Sequence, residues 1–160
     1  MKATELHKLA PLGAMVRFSN GKPQPPARHN KKLRAWKSLN DAGRLVKCHS
    51  RDASNEYDRD HITIQTENGD VVVVNRIFSA DDTELDFTIE AMPTPGTILA
   101  HSDYDRDELE IRHVWNDVAA AREWEKRRRY KLNKCGLAYL IVGDDGALNP
   151  YTFAEEKETA

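Results

Sequence analysis

Arg28, Lys31, Arg34 and Lys37 recur at helical spacing early in the chain. On a helix over residues 26–40 they share one arc, opposite Leu33, Trp36 and Leu39. Within residues 26–40 no acid stands three or four positions from any of them, although such pairs are the usual way to neutralise a solvated helix face. Their chemistry is phosphate contact, in which cations displace the counterions of a nucleic acid and set the register of the protein on it. Arg44 and Lys47 carry the charge into the next segment. A second cluster, Lys126-Arg127-Arg128-Arg129, ends a later helix. Four consecutive residues point all round a helix, and cations at its C-terminus also complement the helix dipole. The expected nucleic-acid-binding set is therefore Arg28, Lys31, Arg34, Lys37, Arg44 and Lys47, extended by Arg127, Arg128 and Arg129.

Carboxylates offer a different chemistry. The chain carries 26 Asp and Glu against 24 Lys and Arg, a net charge of −2, but the charges are sorted into blocks. Residues 22–51 hold nine cations against Asp41 alone, and residues 52–110 hold sixteen acids against three arginines. Asp103-x-Asp105-x-Asp107 resembles the start of an EF-hand calcium loop, but Glu108 stands where that loop needs glycine and Val114 where it needs a bidentate glutamate. The alternative function is a protein-binding inhibitor or adaptor. It would use an acidic, nucleic-acid-mimicking surface over 81–110, with Asp82, Glu84, Asp105 and Asp107 facing a protein partner.

Histidines raise a third reading, a metal-dependent hydrolase or nuclease around His61. His61-Ile62-Thr63 resembles one half of the paired His-x-Thr motif of 2H phosphoesterases, in which one His is base and the other acid. The second half is missing. Asp60-His61-Ile62 resembles the opening of HNH nucleases without the Asn and His that follow. Cys48, His49, His61, His101 and Cys135 are zinc-type ligands whose spacing specifies no site. Phosphate-binding glycine loops and hydrolase motifs are absent. No catalytic residue, metal ligand or cofactor is assigned, and the leading expectation is a small non-enzymatic protein that contacts nucleic acid through its basic helix, residues 28–47.

These side chains need a scaffold. Strands are expected at Ala14–Phe18, Arg44–His49, His61–Thr66, Asp70–Phe78, Leu85–Ala91, Thr97–His101, Leu109–Val114 and 136–142, the last turning back toward Tyr151 and Phe153. Asn68-Gly69 marks a hairpin, and the run Val71–Val74 suggests a central strand. Pro26 suits the first turn of the first helix, and Gly43 suits a left-handed cap beyond its end. Strands segregated from helices predict an α+β fold: a mostly antiparallel sheet of five to seven strands with two main helices, about 26–40 and 116–132. One domain is expected over 1–154, with a solvated tail over 155–160. Two cysteines make no disulfide framework, the start carries no apolar leader and no apolar run nears the ~20 residues of a membrane helix. A cytoplasmic protein that does not engage membranes is the expectation, with its oligomeric state unassigned.

Overall fold

The computed structural model describes residues 1–68, 72–79, 84–102, 109–127 and 137–153. It has the expected α+β class, with nine strands in two antiparallel sheets of five and four strands and three helices among these described residues. The chain divides into two compact units, Met1–Met92 and Pro93–Ala160.

The first unit opens with α1 (Ala3–Leu9), whose start is closed by the Lys2 backbone N–H donating to Glu5 Oε2 at 2.8 Å. Five strands follow: β1 (Met15–Ser19), β2 (Asp41–His49), β3 (His61–Asn68), β4 (Val72–Ser79) and β5 (Asp86–Ala91), with α2 (Asn30–Leu39) between β1 and β2. Their order across the sheet is β4-β3-β2-β1-β5. Alternate residues point one way, so Val16, Phe18, Leu45, Ile62, Ile64 and Phe87 share a core with Ala3 and Leu6 of α1. Each fully buried aliphatic or aromatic side chain there contributes roughly 1.5–3 kcal/mol. The sheet curls: Phe78 of β4 packs 5.0 Å from Phe18 of β1 and 5.5 Å from Phe87 of β5, between ring centroids.

Three expectations need correction here. The Val-rich segment forms an edge strand, not a central one, and leaves Val73 58% and Ile77 68% exposed. A β-branched run reports fit to a pleated surface and not burial on both faces. Gly43 is no helix cap. It lies inside β2 opposite Val16, where an added Cβ would stand 2.3 Å from the carbonyl oxygen of Gln65. The helix is instead closed by Asn40, whose Nδ2 donates to the Trp36 carbonyl at 2.9 Å. The helix also starts late, at Asn30, because Pro26 begins a turn in which the His29 N–H donates to its carbonyl at 2.9 Å.

The second unit is a sheet ordered β7-β6-β8-β9, from β6 (Ile98–Ser102), β7 (Ile111–Trp115), β8 (Leu137–Val142) and β9 (Leu148–Tyr151). Its helix, α3 (Val118–Arg127), is capped by Asp117, whose Oδ1 accepts the Ala120 N–H at 2.7 Å. Ile98, Ala100, Ala121 and Tyr139 form its core, with Trp115, Tyr151 and Phe153 packed against it. Trp124 of α3 packs 4.9 Å from Trp115.

Candidate nucleic-acid interface

β1 and β2 are antiparallel neighbours, with Phe18 opposite Asp41. A hairpin joins such strands in 2–5 residues (roughly). Here 21 residues, 20–40, intervene and carry α2. That excursion contains six cations, Lys22, Arg28, Lys31, Lys32, Arg34 and Lys37, and no acid.

α2 is fixed at a few polar points. Trp36 Nε1 donates to the Lys22 carbonyl at 2.7 Å, folding the incoming segment onto the helix. Asn40 accepts from Ser19 Oγ at 2.6 Å and so ties the helix end to β1. Arg76 of β4 donates to the Ser38 carbonyl at 3.2 Å, with its guanidinium 5.9 Å from the Phe18 ring centre. Leu33 and Trp36 are half-buried, Leu39 is exposed, and no α2 side chain is fully buried.

All six cations are exposed. Among the described residues none of them forms an ion pair, and Arg28 Nε merely sits 3.3 Å from His29 Nε2. Other cations of the same unit are matched: Lys2 with Asp86 at 2.9 Å, and Arg17 with Glu90. Lys31 and Lys32 also occupy the first turn of α2, beside the positive end of its dipole, where no acidic residue is present.

The other nominated cations lie elsewhere. Arg44 and Lys47 are half-buried on β2, and Arg44 donates to the Gly13 carbonyl at 2.8 Å. Arg127 ends α3 in the second unit, 3.7 Å from Glu123. Arg128 and Arg129 lie outside the described residues, as do Asp82, Asp105 and Asp107. Glu84 is described and exposed, and Lys2 Nζ donates to its backbone carbonyl at 3.3 Å.

A histidine–aspartate cluster forms where β2 leads into β3, and Asp58 was not foreseen in it. His49 Nε2 lies 2.8 and 2.9 Å from the two Asp58 oxygens, and its ring stacks on His61 at 4.4 Å. His7 Nε2 reaches the His49 carbonyl at 2.9 Å. The backbone N–H of Asp52, and then His49, hold the Asp58 carboxyl below the usual range. The Arg51 N–H does the same for Asp60, and the Ser54 N–H for Asp52. Burial pulls the His61 imidazole down. An Asp–His pair with a second ring is acid–base equipment in principle, but these carboxylates are occupied in closing their own loop. Burial pushes the neighbouring Cys48 thiol up to about 11, which makes it a poor nucleophile and ligand at neutral pH. Among the described residues no three His, Cys, Asp or Glu groups converge as a metal-binding set. His101 belongs to β6 of the other unit, and Cys135 lies outside the described residues. No helix among the described residues is long and apolar enough to cross a membrane.

No curated protein and no solved structure matches the chain. A family model described as "Uncharacterised conserved protein UCP036055" matches residues 1–136. That is most of the 160 residues, and the chain therefore belongs to that family of uncharacterised conserved proteins.

Proposed function

We propose that this protein binds nucleic acid, without catalysing a reaction on it, through the exposed cationic face of α2. The observation that carries this reading is a 21-residue excursion between adjacent strands that holds six cations, no acid and no ion pair among the described residues. Folding alone gives little reason for it. Like charges at i,i+3 and i,i+4 each cost about 0.2–0.5 kcal/mol, and cations in the first turn oppose the dipole. Local rules broken without compensation inside the fold point to an external partner, and phosphates would relieve both costs. The acidic alternative has less support, because Asp86, Glu90 and Glu110 are taken up by Lys2, Arg17 and Arg112.

Fluorescence anisotropy with labelled DNA and RNA at low salt tests the proposal. Binding by the wild type and its loss in the Arg34→Glu/Lys37→Glu variant are expected. Failure of the wild type to bind either polymer, or unchanged binding by the variant, would overturn it.

A further inference from the structure

A cleft of about 450 Å³ lies in the first unit beside the C-terminal end of α2. Leu39, Ile77, Phe78 and Leu85 supply its apolar lining, and Asn20, Lys22, Ser79 and Glu84 its polar lining. Its size is that of a small-molecule pocket, about 300–1,000 Å³. Asn20, Lys22 and Glu84 have spare capacity. Asn20 Oδ1 is already used by the Lys22 N–H and by Asn40 Nδ2, which leaves the Asn20 amide donors without a partner among the described residues. The Lys22 ammonium and the Glu84 carboxylate make no ion pair among those residues either. An apolar lining, an amide donor, an ammonium and a carboxylate fit a flat heteroaromatic ring that both accepts and donates hydrogen bonds. Lys22, the first cation of the excursion that carries α2, is itself among the lining residues, and its carbonyl holds Trp36 Nε1, so the cleft adjoins that excursion on the apolar side of the helix.

We infer that the cleft receives one unstacked nucleobase, whose phosphate lies toward Lys22 and away from Glu84. The inference rests on the nucleic-acid reading and deepens it: the preferred ligand is a nucleotide with its base exposed, as in a single strand. Duplex bases are not available to such a cleft without extrusion.

Three labelled probes of one sequence test it: a single strand, the same strand with abasic sites, and the duplex. A nucleoside monophosphate serves as competitor. Stacking and burial of one base support an expected preference of about tenfold for the base-bearing strand over the abasic one. Ile77→Glu, at an exposed edge position, should reduce that preference to within about twofold while abasic binding stays the same and circular dichroism reports an intact fold. Competition by the monophosphate would identify a free nucleotide as the ligand; its absence would identify a base within a strand. Equal binding of all three probes, or a preference that survives Ile77→Glu, overturns the cleft assignment and leaves the α2 reading standing. Failure of every probe to bind overturns both.

Discussion

Replacing Lys31, Arg34 and Lys37 together with alanine separates the binding role of α2 from its structural role. The three are spaced by three residues, so the first and last are about 9 Å apart along the helix axis. One duplex strand presents a phosphate every ~3.4 Å of axis, so this face meets about three phosphates, and Lys22 and Arg28 extend the reach to about five. For three to five contacts the slope of log K against log salt is about −2.7 to −4.5 on duplex and −2.1 to −3.5 on a single strand. Between 50 and 200 mM salt the affinity should fall by roughly 40- to 500-fold on duplex and 20- to 130-fold on single strands. The triple variant should flatten the slope by about 2–3 units. Its stability should hold or rise, because alanine favours helix and the like-charge contacts disappear. Anisotropy titrations at four salt concentrations, with urea unfolding alongside, give both quantities. Arg44→Ala should behave in the opposite sense: its guanidinium holds the Gly13 carbonyl, so stability drops by about 1–2 kcal/mol and the slope stays. A slope unchanged in the triple variant, or binding lost only in step with stability, would refute the assignment of the phosphate contacts to α2.

Gly43→Ala should lower the urea-unfolding free energy by about 1–3 kcal/mol or more, because its Cβ would meet backbone atoms of Gln65 and not a yielding side-chain tip. Acid should act on the first unit in two stages. His61, with its pKa lowered in the fold, contributes stability that is complete at high pH and declines as pH falls through its unfolded value of 6.5. Asp52, Asp58 and Asp60, also lowered, contribute stability that is present above 3.8 and is lost as pH falls through their folded values. Asp58→Asn should weaken the lower stage in an acid-unfolding series and deepen the upper one, because the Asp58 charge opposes the lowering of the His61 imidazole. Cys48 should resist thiol reagents at pH 8 in a Cys135→Ser background, since about one part in a thousand is thiolate there; rapid labelling in the native state would contradict its burial.

Strands were legible where alternation is local. The expected segment at Ala14–Phe18 overlaps β1, and β3 and β4 pair as the hairpin that Asn68-Gly69 signals, with Asn68 opposite Val72 and Gly69 itself outside the described residues. Sheet membership was not legible. β1 lies between β2 and β5, whose partner residues are about 70 positions away, and no periodicity within a strand encodes that choice. The place of β4 at an edge, the contact of Phe78 with Phe18 and the close approach that reserves Gly43 for glycine all follow from long-range pairing. The His49–Asp58 contact was hidden for the same reason: nine residues of loop had to fold back before a carboxylate in an acidic stretch became a histidine partner. The cationic arc of α2 was legible because helical phase and missing acids are both local. The depth at which that helix sits was not, since Leu33, Trp36 and Leu39 form an apolar stripe yet none becomes fully buried.

The two excursions at either end of β2 make the functional argument sharper than charge counting does. Both join neighbouring antiparallel strands and both exceed what a hairpin requires. The one after His49 spends three of its four acids at home: Asp52 accepts from Ser54, Asp58 from Asp52 and His49, and Asp60 from Arg51. Its charge is explained by the conformation it stabilises. The one after Ser19 is ordered by neutral groups, namely Ser19, Asn20, Trp36 and Asn40, together with Arg76 from the sheet. The charged ends of its own cations take no part in that scaffold. A segment whose conformation is secured by one set of residues while another set stays exposed and unmatched among the described residues has divided support from presentation. Surface loops that carry binding residues on a rigid scaffold have this division, and a polyanion is the partner that a row of presented cations would select.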